Sequence, residues 1–186
     1  MTSSNRHDSA TDPLGEVLRH GNRIGVRYVR HFPHPAERVW RALTQSDQLR
    51  YWLPCDIVGE LRPSAPILLR FWPAQVEKYQ IEKPEIVGRV TVFEPPSVFE
   101  WIWDSDVLRF ELAEADDGTT LTFTTWPEPP DPDGLANAAA GYHVCLEALR
   151  TLLDTGSAPP LVDGDGRAKE LTPVYAQAIT RSAPTC

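Results

Sequence analysis

Basic charge, cysteine and long apolar runs are all scarce in this chain. Lysine and arginine number 18 against 26 acidic residues, a net charge of −8 over 186 residues. Nucleic acid and anionic membrane surfaces both demand a basic face for phosphate contacts, so neither is an expected partner. The acidity serves solubility. Cys55, Cys145 and Cys186 are too few, and odd in number, for a disulfide framework. No apolar run approaches the roughly 20 residues of a membrane span. The opening MTSSNRHDSATDP lacks the apolar stretch of a secretory signal. These absences point to a cytoplasmic protein with reduced thiols.

Signature motifs are missing too. The chain has no Gly-x-Ser-x-Gly elbow, phosphate loop, dinucleotide fingerprint or internal repeat, so no cofactor is expected. His31 and His34 straddle Phe32-Pro33 without a third or fourth ligand. His143 and Cys145 stand about 200° apart around a helix, too far round to share a metal. The DGDG at 163–166 has Leu161 and Thr172 where a calcium loop needs carboxylates. No metal site is expected.

What remains is an ordinary globular composition, 41% hydrophobic and 24% charged, with the length of one domain. Residues 1–12 are polar and read as a disordered tail. LGEVLR and RIGVRYVRHF flank His20-Gly21-Asn22 and read as a hairpin, with Ile24, Val26, Tyr28 and Phe32 alternating. The rival is a short helix from Asp12-Pro13. Pro35 opens a helix whose Val39, Trp40 and Leu43 share one face. Ser46 reads as the cap of a second, carrying Leu49, Trp52 and Leu53 to the stop at Pro54. Helices this short hold only against something larger. Strand-like runs follow at 55–61, 66–72, 86–94, 97–103, 106–114 and 119–126, divided by tight turn signals such as Asp117-Gly118. An antiparallel meander results. One long helix spans about 135–154, with Leu135, Ala139, Tyr142, Leu146, Leu149 and Leu153 on one stripe and Gly156 as its stop. Domain limits of 13–156 leave a tail, 157–186, with a short helix about 173–180 begun at Thr172-Pro173.

RHFPHPAERVWRALTQSDQLRYWLP at 30–54, VTVFEPPSVFEWIW at 90–103, DGTTLTFTTW at 117–126 and AGYHVCLEALRTLL at 140–153 carry a family resemblance. The chain resembles the START-like, or SRPBCC, superfamily. Within it the chain is similar to the activator of heat-shock chaperone ATPase homologues (C-terminal domain). The implied fold is α+β and helix-grip: a curved antiparallel sheet wrapped around a long C-terminal helix, with two short helices after the first core strand. Three positions depart from the family pattern. RPSA replaces a Gly-Gly turn, Thr125 stands where a His is common, and Tyr142 stands where a Trp is usual.

The resemblance implies a cavity between sheet and long helix for an apolar or amphipathic small molecule. Trp40, Trp52, Trp72, Trp101 and Trp103 are candidate lining residues, although core packing is the bland reading of each. Phe99, Trp101 and Trp103 share one strand face, and Val98, Glu100 and Ile102 the other. Burial tendency turns the aromatics inward; the opposite orientation makes Glu100 a desolvated carboxylate. Tyr142 lies on the long helix's apolar stripe, and His143 at its margin. Arg30, between Tyr28 and Phe32, and Arg70, between Leu68 and Trp72, either face an anionic partner or lie on an exposed sheet face. Arg30 joins the ligand-binding candidates. The expected function is small-molecule binding without catalytic residues. The alternatives are a cyclase or lyase using Tyr142, His143 and Glu100, or a chaperone-interaction module. An exposed sheet edge permits a homodimer.

Overall fold

The computed structural model describes residues 12–128, 131–159 and 161–182. Eight strands form one antiparallel sheet: β1 (Glu16–His20), β2 (Arg23–Phe32), β3 (Cys55–Gly59), β4 (Pro66–Phe71), β5 (Glu85–Glu94), β6 (Val98–Trp103), β7 (Asp106–Ala115) and β8 (Gly118–Trp126). Their spatial order is β1-β2-β8-β7-β6-β5-β4-β3. The first hairpin turns at Gly21, whose φ of 59° is open to glycine without strain.

Alternation along β2 puts Tyr28 and Phe32 inside, as expected from the spacing. It puts Arg30 inside as well, 1% exposed, which overturns the exposed reading of that arginine. Arg70 is exposed and paired with Glu85. On β6, Phe99 and Trp101 face inward and are buried. Glu100 faces outward, accepting from Thr91 Oγ1 at 2.7 Å and Arg109 Nη1 at 3.0 Å. The register places Tyr28, Phe123, Phe110 and Phe99 directly opposite one another across β2, β8, β7 and β6. Phe110 and Phe123 stack at 4.4 Å, and Tyr28 stacks on Phe123 at 5.7 Å.

Helices α1 (Ala36–Thr44) and α2 (Ser46–Leu49) fold back on each other. The Trp52 indole N–H donates to the Ala42 carbonyl at 2.8 Å and fixes the bend. Ser46 does not cap α2 as expected; Gln45 stands at the cap position, and Ser46 Oγ instead donates to Asp56 Oδ2 at the start of β3. A third helix, α3 (Pro73–Tyr79), occupies a stretch the sequence reading left unassigned. Its Pro73 takes the first helical position, whereas Pro35 stands one residue earlier, at the cap position of α1.

Helix α4 (Pro132–Thr155) crosses the sheet. It begins three residues before the expected start, because the Asp131 carboxylate accepts from the backbone N–H groups of Asp133 and Gly134. Gly156 ends it at φ 83°. Tyr142 closes edge-on against Phe123 at 5.1 Å, and the Tyr28 hydroxyl donates to the Ala139 carbonyl at 2.7 Å.

The C-terminal tail departs most from expectation. After a 3₁₀ turn (Leu161–Gly164), α5 runs from Asp165 to Arg181 as one helix with Pro173 inside it. Local punctuation by Gly, Asp and Pro loses to burial of Leu171, Tyr175 and Ile179, spaced by four. Residues 1–11 of the expected tail lie outside the described residues. Asp12 does not belong to a loose tail, since Arg150 Nη2 holds its carboxylate at 2.8 Å.

A buried polar chain fastens α5 to α4 and the N-terminal strand. Tyr175 Oη accepts the Gly15 N–H at 2.9 Å and lies 2.8 Å from His143 Nδ1. His143 Nε2 sits 3.3 Å from Glu147 Oε1, off the line of a hydrogen bond, and Arg167 Nη2 lies 3.3 Å from the same oxygen. Contact with His143 foremost, and then with Arg167, holds the Glu147 carboxyl below its usual range.

Two outcomes follow. Phe123→Ala removes the middle of the aromatic row and costs about 3–5 kcal/mol, read from urea unfolding; a cost below about 1.5 kcal/mol would contradict the packing described. Glu147 stabilises the fold fully above its unfolded pKa near 4.5, and loses that contribution as the pH falls through the lower folded value. Glu147→Gln therefore melts about 2–4 °C below the native chain at pH 7, the shift of roughly 1 kcal/mol at this length. Thermal melts at descending pH should show that gap closing, and a pH-independent gap would contradict it.

Candidate ligand cavity

The centre of the grip is filled. The aromatic row, Trp101 and Tyr142 occupy the space between sheet and helix where the fold resemblance implies a cavity. The hollow lies instead at the margin of the grip, between α4, the end of β6, α3 and the start of α5. Its volume is about 260 Å³, and it opens to solvent on one side.

Small side chains on α4 make the room. Ala138, Gly141 and Cys145 recur at spacings of three and four and turn one helix face toward the hollow. A Cβ at Gly141 would meet nothing within 4 Å. Glycine in a helix interior costs about 1 kcal/mol relative to alanine, and the space it leaves here belongs to the cavity. Trp103 closes the sheet side, Tyr142 the floor, and Leu161 the side of the 3₁₀ turn. Leu161 also lines two neighbouring hollows, of about 430 Å³ beside Trp72 and about 250 Å³ beside Val144 and Arg167.

Polar groups are few. Gln75 of α3 is buried at the cavity wall. At the rim the Tyr79 hydroxyl donates to Asp165, and Lys78 Nζ pairs with the same carboxylate at 3.0 Å. Tyr79 first and Lys78 second hold the Asp165 carboxyl below its usual range, while burial, followed by Asp165, pushes the Tyr79 phenol up to about 12. This pair of contacts ties α3 to the first turn of α5 across the cavity mouth.

Burial pushes the Cys145 thiol up to about 12 and that of Cys55 higher still. Neither supplies a thiolate near neutral pH. Burial also raises the Tyr142 phenol, whose side chain interacts with Thr125. The two positions where this chain departs from the family's His and Trp therefore meet in space.

Of the sequence-predicted site residues, Trp103 and Tyr142 line the cavity, and Trp72 lines the larger adjoining hollow while donating its indole N–H to Leu53 O at 2.8 Å. Trp40 packs against Phe93 and Phe99, away from it. Trp52 and Trp101 lie in the core, the latter with its buried indole N–H unpartnered. His143 turns to the opposite flank of α4, toward Tyr175. Glu100 is on the outer sheet face, and Arg30 is paired with Asp12. Tyr142, His143 and Glu100 thus point in three directions, so the acid–base set required by a cyclase or lyase is not assembled. Sequence reasoning missed Gly141, Gln75, Tyr79 and Leu161. The glycine inside an otherwise strong helical pattern was the signal available for the first.

Among the described residues no group of three or more His, Cys, Asp or Glu is placed to hold a metal ion, and no helix is long and apolar enough to cross a membrane.

No curated protein matches the chain. Among solved structures, a conserved protein of unknown function from Enterococcus faecalis superposes with a TM-score of 0.74 at 20% identity, over 91% of this chain and 92% of that one. CalU16 from Micromonospora echinospora superposes with a TM-score of 0.65 at 16% identity, over 89% and 96%. Protein MLL2253 from Mesorhizobium loti reaches 0.57 at 22% identity, over 70% and 96%. These likenesses establish the helix-grip fold. Residues 33–154 match the family described as Activator of Hsp90 ATPase homolog 1-like protein, and with well over half of its 186 residues inside that match the chain belongs to this family.

Proposed function

We propose that the protein binds an apolar or amphipathic small molecule in the cavity between α4, Trp103, α3 and α5. The observation that carries this reading is the glycine-opened, largely apolar hollow of about 260 Å³, just below the roughly 300 Å³ at which drug-sized ligand sites begin. Trp103 and Tyr142 offer flat aromatic walls to the ligand, and Gln75 a buried polar group that orients it. A longer ligand extends past Leu161 into the hollow beside Trp72. Entry is at the Tyr79–Asp165–Lys78 contact, where α3 and α5 part. No observation favours a chaperone-docking surface over this cavity.

Gly141→Leu tests the proposal from inside the helix. Leucine is the better helix former by about 0.8 kcal/mol, and its side chain enters empty space. The variant should melt at or above the native temperature. Its affinity for phenylnaphthylamine, an apolar fluorescent probe, should fall at least tenfold, which is about 1.4 kcal/mol of binding. Equal probe affinity in the two proteins would overturn the assignment of the site.

A further inference from the structure

Beside the first described residues, and independent of the cavity, two guanidinium groups share one carboxylate. Arg30 projects from the inner face of β2 over the Tyr28 ring at 5.5 Å. Arg150 projects from α4 over the Phe32 ring at 5.1 Å and gives its Nη1–H to the His31 carbonyl at 3.0 Å. Asp12 accepts from Arg150 Nη2 and Nε with both oxygens: Nη2 to Oδ1 at 2.8 Å, and Nε to Oδ1 at 3.1 Å and Oδ2 at 3.3 Å. Arg30 fares differently. Its Nη1 donates to Val29 O at 3.0 Å, its Nε stands 3.5 Å from Asp12 Oδ2, and neither Nε nor Nη2 makes a hydrogen bond.

Arg30 is 1% exposed, so its unused donors are shut off from bulk solvent. Two deficits coincide at one point: two positive charges face one negative charge, and buried donors stand unused. A buried guanidinium is retained only at a cost to stability unless both its charge and its donors are answered. The Asp12 carboxylate answers only one of the two charges, and its hydrogen bonds go to Arg150. A phosphoryl group brings up to two negative charges and three or more acceptor oxygens, and arginine forks match it bidentately.

We propose that Arg30 and Arg150 form a phosphoryl-binding site that Asp12 fills in cis, and that a phosphate-bearing ligand displaces Asp12. Displacement removes one anchor of the N-terminal segment and leaves the Gly15–Tyr175 hydrogen bond and the Arg19 contacts with Ile179 and Ser182 in place. The site thereby couples anion occupancy to the docking of that segment on α4 and α5.

The test uses the full chain and Asp12→Asn, which keeps the side chain's size and removes its charge. Melting temperatures are compared in inorganic phosphate, glycerol phosphate, acetate and chloride at matched ionic strength. Inorganic phosphate at millimolar concentration should raise the Asp12→Asn melting temperature saturably by several degrees. The native shift should be smaller, because Asp12 competes, and Asp12→Asn/Arg30→Gln should show none. Glycerol phosphate acting like phosphate assigns the site to an esterified phosphoryl group, and phosphate acting alone assigns it to the free anion. Equal shifts in all three proteins would overturn the site, and acetate matching phosphate would overturn the phosphoryl class. Should the variants carrying Asn at position 12 fail to fold, phosphorus NMR on the native chain decides. The phosphate resonance should broaden with native protein and stay sharp with Arg150→Gln, and no difference between the two would refute the proposal.

Discussion

Everything else in this molecule accommodates a row of four aromatic rings. Tyr28, Phe123, Phe110 and Phe99 sit opposite one another on adjacent strands, and cross-strand aromatic pairs of this kind fix register as well as add stability. The row occupies the concave side of the sheet, so α4 meets rings rather than a void. Protein interiors pack to crystal-like density, and a filled centre leaves a hollow only where the opposing surface is made of small residues. On α4 that is the face of Ala138, Gly141 and Cys145. The position of the cavity is therefore set by the bulk of the sheet's aromatics on one side and the poverty of side chain on the helix on the other.

The second determinant lies outside the family-matched segment 33–154. Leu161, Gly164, Asp165 and Ala168 supply the far wall of the cavity, and α5 is held there by Tyr175, His143, Glu147 and Arg167 on one side and by Tyr79 and Lys78 on the other. The family region together with β1 and β2 builds the grip, and the C-terminal helix turns the margin of that grip into a walled hollow. His143, set by its helical position at the edge of the apolar stripe, serves that docking and faces away from the cavity.

Strand positions were legible in the sequence because turn residues bracket each run and because alternation has a period of two. All six strands expected between residues 55 and 126 form within a few residues of their predicted ends. The inward turn of Phe99 and Trp101 followed from burial tendency. Arg30 was left open by the same tendency: statistics put arginine outside, whereas its strand phase, shared with Tyr28 and Phe32, puts it inside. The phase was the better guide. Helix α5 was illegible from local rules, since Asp-Gly-Asp-Gly and an internal Pro argue for loop until α4 offers a surface to bury Leu171 and Tyr175. Trp103 and Tyr142 were found as aromatics, but most of the cavity wall comes from residues whose role is to be small or to arrive from α3 and the chain's last helix. Such roles exist only in three dimensions.

The claim on which the account rests is that this hollow holds a ligand. Native mass spectrometry of the protein purified gently from its own cells, before and after organic extraction, tests it most directly. The account predicts a discrete adduct that leaves on extraction and does not accompany Gly141→Leu prepared in the same way. An adduct carried equally by Gly141→Leu, or a bare polypeptide mass at every stage, would contradict it.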